Sequence, residues 1–218
     1  MSSASPSRSF CSQSVSRTCW NCQATSTKSH ESRNNSAVFF CHECKAILPV
    51  DDELTYFQVM QCEQRYDLDV NELTQTFRSL QRQLHPDKYS IKPQIEQSYS
   101  ADQSSAVNKA YSTLLKPLSR GLYLLGLNGY SIEENDSSVE PEFLMEIMEI
   151  NEDLAETKDK EKVKQIRAKN SGKLTELIQD LTKVFSNNDF VTARNILVYL
   201  KYYANIEDKA KEILGTDA

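Results

Sequence analysis

Arg78-Ser79-Leu80-Gln81-Arg82-Gln83-Leu84-His85-Pro86-Asp87-Lys88-Tyr89 is the stretch on which the reading of this fold turns. Upstream and within it, Val70, Leu73, Phe77, Leu80 and Leu84 recur at three- and four-residue steps, the spacing of one face of an amphipathic helix. Pro86 has no backbone N–H and disfavours the α conformation at the residue before it, so this helix is expected to stop at His85. The His85 imidazole and the Asp87 carboxylate then stand at an exposed tip. Beyond the tip, Val107, Ala110, Tyr111, Leu114 and Leu115 form a second periodic run that can fold back antiparallel and bury both stripes. The plain alternative is a helix end stopped by proline, with Asp87 making a local turn bond.

Two helices presenting His-Pro-Asp at their connection resemble a J-domain, the module that stimulates ATP hydrolysis by DnaK-type chaperones. Thr55-Tyr56-Phe57-Gln58-Val59-Met60 resembles its first helix, whose aromatic pair closes the core. Arg78 to Tyr89 resembles its second helix and loop, and Val107-Asn108-Lys109-Ala110-Tyr111-Ser112-Thr113-Leu114 its third. Within that family the resemblance is to the HscB type, co-chaperones dedicated to iron–sulfur cluster assembly. Pro117-Leu118-Ser119-Arg120-Gly121-Leu122-Tyr123-Leu124-Leu125 and Phe143-Leu144-Met145-Glu146-Ile147-Met148-Glu149-Ile150 look like its two diagnostic stretches. The resemblance implies that His85, Pro86 and Asp87, with Arg78 and Arg82, bind the chaperone. One departure concerns charge. Many J-domains carry a dense Lys/Arg run on the second helix, whereas only Arg78, Arg82 and then Lys88 are basic here. Association is therefore expected to be less electrostatically driven.

Composition agrees with an all-α protein: five glycines and six prolines are few among 218 residues, and the periodic segments are helical throughout. The formal charge of −6 argues against a nucleic-acid-binding chain, which shows a basic face. No apolar run approaches the ~20 residues needed to span a bilayer. Residues 1–18 hold eight serines, Arg8 and Arg17 and no acidic side chain, the composition of a mitochondrial transit segment; an untargeted disordered tail has the same serine content. Asn34 and Asn135 sit in N-x-Ser patterns, which without a secretory signal are coincidental.

Cys19-Trp20-Asn21-Cys22 and Cys41-His42-Glu43-Cys44 are two CxxC pairs separated by eighteen residues, within the spacing of structural zinc sites. Each pair places two thiolates on one tight turn, and two facing turns supply tetrahedral S4 coordination by Cys19, Cys22, Cys41 and Cys44. Phe39 and Phe40, with Trp20, are expected to cap the site. Zinc is the favoured ion and iron the alternative that cysteine thiolates also accept; disulfides do not suit a reducing compartment. Four cysteines complete the tetrahedron, so His30 and His42 are expected to be solvated. Cys11 falls in the leader segment, and Cys62 reads as a partly buried core thiol at the end of the first helix. A nucleic-acid-binding ribbon is the rival, but Glu31 and Glu43 offset Lys28 and Arg33, the fixed cations of the intervening loop.

From Pro141 three further helical runs can be read. On the first, Phe143, Ile147, Ile150 and Leu154 share one stripe at 100° steps, while Leu144, Met145 and Met148 fall well away from it beside Glu149, Glu152 and Glu156. The second run is Val163, Ile166, Leu174, Leu177, Ile178, Leu181 and Phe185, continuous through Gly172. After the turn Asn187-Asn188-Asp189 the third has Ala193, Ile196, Leu197, Leu200, Tyr203 and Ala204 inward, with Tyr202 almost opposite that stripe. Apolar residues with an acidic rim read as a partner surface; packing inside the protein is the other reading. The HscB resemblance implies that the iron–sulfur assembly scaffold docks on Leu144, Met145, Met148, Glu149, Glu152, Glu156 and Tyr202, with Met148 standing where leucine is commoner.

The expected organisation is a leader or tail over 1–18, a zinc module over 19–48, a J-domain over 54–127 and a three-helix scaffold-binding bundle over 140–218. The expected activity is that of a non-enzymatic co-chaperone joining a mitochondrial DnaK-type chaperone to the scaffold, in the mitochondrial matrix, with a cytoplasmic location as the alternative. There is no Walker glycine–lysine loop and no nucleophile elbow. A general J-protein serving unfolded clients is the alternative function.

Overall fold

The computed structural model describes residues 16–27, 38–131, 139–157 and 159–215. Cys11, Lys28, His30, Glu31, Arg33, Asn34, Asn135 and nearly all of the leader segment lie outside the described residues. The chain opens with a short antiparallel ribbon, β1 (Ser16–Thr18) and β2 (Thr25–Thr27), with Ser16 opposite Thr27. Seven helices follow among the described residues: α1 (Tyr56–Val59), α2 (Val70–Leu84), α3 (Gln94–Leu115), α4 (Pro117–Leu127), α5 (Pro141–Glu156), α6 (Lys160–Ser186) and α7 (Phe190–Leu214). The all-α expectation holds, and the small ribbon belongs to the cysteine segment.

Local chemistry sets the helix starts. Thr55 and Gln58 form a reciprocal capping box on α1: Thr55 Oγ1 accepts from the Gln58 N–H and Gln58 Oε1 from the Thr55 N–H. Asp69 accepts from the N–H groups of Asn71 and Glu72 at the start of α2. Asp159 and Asp189 cap α6 and α7 in the same way. Pro117 and Pro141 occupy first-turn positions of α4 and α5, where a missing N–H costs nothing. Gly215, in the left-handed region at φ +70°, ends α7.

The chain divides into two compact units. One holds the residues up to Leu54 together with Leu80–Ala106; the other holds Thr55–Ser79 with Val107–Ala218. In the first, Phe39, Ile47 and Leu84 are fully buried, yet so are the polar side chains of Ser100, Gln103 and Ser104. Ser100 Oγ donates to Leu84 O at 2.6 Å, and Ser104 Oγ to Gln81 Oε1 at 2.9 Å. α3 therefore starts at Gln94, thirteen residues before its apolar run begins at Val107. Buried polar residues hide that half from an apolar-period reading.

In the second unit Phe77 stacks on Tyr111 at 4.0 Å and Thr74 Oγ1 meets Tyr111 Oη at 3.1 Å, so α2 and α3 pack antiparallel. Val70, counted on the apolar face, is instead exposed, because it is the first residue of α2 and lies beyond the packed turns. α7 packs on α4, α5 and α6. Ile147, Leu154, Val163, Tyr203, Ile206 and Ala210 form the buried cluster of the three-helix bundle, with Phe143 and Ile150 at its edge. Each buried large aliphatic contributes roughly 1.5–3 kcal/mol.

Gly121 lets α4 approach α7 closely. A Cβ at that position would lie 2.6 Å from Leu197 Cδ2 and 3.3 Å from Tyr66 Cε2, and both side chains are buried. Gly121→Ala is expected to destabilise the chain by about 1–3 kcal/mol through overpacking. Urea unfolding at equilibrium checks this, and an unchanged or raised midpoint would refute it.

Candidate functional site

His85 ends the α2 path in an extended conformation (φ −59°, ψ 130°), and Pro86–Tyr89 form a 3-10 turn. The turn is held by its backbone and by neighbours. Lys88 N–H donates to His85 O at 3.0 Å, Ser90 Oγ to Asp87 O at 2.9 Å and Tyr89 Oη to Gln83 O at 3.3 Å. From α3, Gln97 Nε2 donates to Ser90 O at 3.3 Å and Lys92 O at 2.8 Å. The His85 Nδ1 accepts from the Asp87 N–H at 3.3 Å, which orients the ring over the turn. The Asp87 carboxylate is 91% exposed. Arg78 and Arg82, one turn apart on α2, are exposed as expected. Asp87 Oδ2 also lies 3.5 Å from His85 Nδ1, so the braced backbone carries exposed polar side chains that contact one another and remain open to charge-assisted bonds with a partner.

The cysteine segment is built from two copies of one turn. Cys19-Trp20-Asn21-Cys22-Gln23-Ala24 and Cys41-His42-Glu43-Cys44-Lys45-Ala46 close through identical bonds. Gln23 N–H donates to Cys19 O and Lys45 N–H to Cys41 O, both at 3.0 Å. Cys19 N–H donates to Ala24 O and Cys41 N–H to Ala46 O, both at 2.9 Å. Gln23 (φ 58°) and Lys45 (φ 60°) both adopt the left-handed region, at a cost of about 1–2 kcal/mol each for non-glycine residues. The C-x-x-C-x-Ala repeat was visible in the sequence and signals this shared geometry.

The four sulfurs lie within 4.8 Å of one another. Cys19 and Cys44 Sγ are 3.6 Å apart, and Cys22 and Cys41 Sγ 3.7 Å. A tetrahedron of sulfurs at about 2.3 Å from a central ion has edges of about 3.8 Å, so the residues fit a metal. The Ala46 N–H, then Asn21, draws the Cys44 thiol down to about 6. The Ala24 N–H acts likewise on Cys22, but desolvation and the three neighbouring sulfurs push that thiol up to about 12. The four sulfurs can hold a metal ion, whose charge would favour their thiolate forms. His42 lies beside Glu43 at 3.3 Å and outside the sulfur cluster. Trp20 packs on Cys19, Cys41 and Leu48, and its indole N–H donates to Ile47 O at 2.7 Å. Phe39 is fully buried and Phe40 lies beside Cys19 and Cys41. Cys62 is a half-buried thiol that burial raises to about 11, which makes it unreactive.

On α5, Met145 and Met148 are 66% and 61% exposed. Glu149, Glu152 and Glu156 are exposed on the same face, one and two turns along. Leu144 is half-buried, since it borders the packed stripe next to Phe143. Tyr202 corrects the sequence reading: it is half-buried against the bundle cluster, with its ring 5.6 Å from Phe143, rather than opposite the core. Phe143 meets Tyr199 and Tyr203 as well, an aromatic cluster that single-helix periodicity does not reveal because it forms between α5 and α7.

A helical hairpin with His-Pro-Asp exposed at its connection, backed by a three-helix bundle, defines the J-domain co-chaperone class. The HSCB C-terminal oligomerisation domain matches residues 139–211. The chain is 40% identical over 194 residues to the human iron–sulfur cluster co-chaperone protein HscB, covering 88% of this chain and 80% of that one. It is 35% identical to the Arabidopsis thaliana homolog, covering 95% of this chain and 77% of that one. The crystal structure of human HscB superposes with a TM-score of 0.80 at 40% identity, covering 90% of this chain and 98% of that one. The chain belongs to the HscB family of iron–sulfur cluster co-chaperones. Among the described residues no helix is long and apolar enough to cross a membrane.

The sulfur geometry fits one metal ion per chain. Cys41→Ser combined with Cys44→Ser is expected to remove it, as read by elemental analysis of the purified protein. A metal-free wild-type chain would overturn the assignment.

Proposed function

We propose that this chain binds an iron–sulfur cluster assembly scaffold through its C-terminal bundle, presents it to a DnaK-type chaperone and stimulates that chaperone's ATPase, so promoting cluster transfer. The observation that carries the reading is the exposed Asp87 carboxylate on a turn held by several backbone hydrogen bonds. His85, Pro86 and Asp87, flanked by Arg78 and Arg82, are the proposed chaperone contacts. Leu144, Met145, Met148, Glu149, Glu152, Glu156 and Tyr202 are the proposed scaffold contacts. Two exposed methionines beside three glutamates support this assignment, since adaptable apolar side chains within a polar rim suit partner binding. A chain that holds both partners raises their effective concentration for each other, so its role is to join them rather than to perform chemistry. The sulfur cluster takes zinc as a structural ion, in keeping with closed S4 sites. The mitochondrial matrix is the proposed location, on the leader-like composition of residues 1–18.

Asp87→Asn is expected to abolish stimulation of single-turnover ATP hydrolysis while leaving helicity and scaffold binding intact, because a surface substitution here changes stability by less than about 0.5 kcal/mol. Equal stimulation by mutant and wild type would sink the chaperone-contact assignment. Met145→Ala with Met148→Ala is expected to weaken scaffold binding by more than about 1 kcal/mol per anchor with little change in Tm. Calorimetry of binding and of unfolding on the same samples separates these. Unchanged affinity, or competition for the same face by an unfolded polypeptide, would instead favour a general J-protein.

A further inference from the structure

The polar residues buried on the first half of α3 serve neither of the proposed partner surfaces, yet every one of them is bonded. Gln103, 3% exposed, donates from Nε2 to Leu48 O at 2.9 Å and to Pro49 O at 3.1 Å. Those two carbonyls lie directly after the second cysteine turn. The Arg17 guanidinium, on the ribbon that enters the first cysteine turn, bonds the same Pro49 oxygen and also Val38 O. Trp20, between ligands Cys19 and Cys22, meets Tyr99 of α3 edge-on at 6.1 Å. The same helical segment also bonds the residues around the tip: Ser100 to Leu84 O, and Gln97 to Ser90 O and Lys92 O. Gln103 and the Trp20–Tyr99 contact therefore join the cysteine segment to residues 99–103, and the Ser100 and Gln97 side chains join the same stretch of α3 to residues flanking the His-Pro-Asp turn.

We propose that the metal-bound cysteine module braces the His-Pro-Asp turn, with Gln103 as the positioning residue. The inference rests on the metal reading and extends the chaperone-contact reading, since it concerns how rigidly that turn is presented. The physical reason is that the ion would tie the two cysteine turns to each other and so add order beyond that given by burial of Phe39, Ile47 and Leu48. If the sulfurs are released, the Leu48 and Pro49 carbonyls lose their fixed places. The buried Gln103 amide then loses its acceptors, a cost that favours local opening of the first half of α3.

Hydrogen–deuterium exchange on the full chain tests this, with α6 and α7 amides as internal reference and metal content measured on every sample. Chelation of the wild type is expected to speed exchange across residues 87–104 by about tenfold, and zinc alone added back should restore it. Gln103→Ala should speed the same amides with metal still bound, and chelation should then add far less than a second tenfold. Tyr99→Leu, at a half-buried ring, removes the edge contact with Trp20 and the hydroxyl near Arg17 but leaves Gln103 in place, and should give a smaller change of the same kind. Faster exchange confined to residues 17–49 after chelation, or effects of chelation and Gln103→Ala that multiply, would overturn the brace while leaving the metal site standing. A wild-type chain without metal would overturn the metal reading and the metal dependence together.

Discussion

Because Pro86 cannot extend the helix that ends at Leu84, the last carbonyls of α2 must find donors outside their own helix. Leu84 is fully buried, so water cannot serve it, and Ser100 Oγ bonds its carbonyl at 2.6 Å. Tyr89 Oη reaches back to Gln83 O, and Gln81 and Ser104 exchange two bonds, at 2.9 and 3.1 Å. The pairing of α2 with α3 near the tip is thus specified by directional polar bonds, which tolerate far less slippage than apolar contact. The side chains of His85 and Asp87 contact each other over this turn and stay exposed to solvent and to whatever binds there.

The two candidate partner faces differ in physical kind. The tip offers charge on a stiff backbone, with Arg78, Arg82 and Lys88 as the only basic residues of α2 and its turn. Attraction to an acidic partner is then modest and specificity comes from the geometry of a few charge-assisted bonds. The α5 face offers long, unbranched thioethers rimmed by carboxylates, so its contribution is mostly apolar burial with an electrostatic filter against acidic partners. Behind it, Phe143 sits among Tyr199, Tyr202 and Tyr203, which fixes the helix without using the methionines. The exposed stripe is therefore free of any packing duty.

Much of this molecule was legible in its sequence. The hairpin, the break at His85, the four-cysteine cluster, the core stripe of α5 and the long α6 through Gly172 all follow from periodicity, proline chemistry and CxxC spacing, which are local properties of the chain. Readings that relied on one helix at a time missed where two helices meet. Tyr202 sits opposite the stripe on an isolated α7, yet α5 brings Phe143 against its ring. Val70 fits the apolar period of α2, yet it lies at the helix start, where nothing packs on it.

The sequence by itself determined the break after Leu84, the core stripe of α5 and which four sulfurs can gather, because each rests on residues within a few turns of one another, whereas the first half of α3 carries no apolar period to announce it. The tertiary structure alone decided which polar side chains lie inside. Ser100, Gln103 and Ser104 belong to no apolar period, and they are buried because carbonyls and an amide oxygen from distant segments meet them: Leu84, Leu48, Pro49 and Gln81. A buried serine or glutamine is indistinguishable from an exposed one until its partner is in place, since the hydrogen bond that makes burial affordable is formed between segments far apart in the chain.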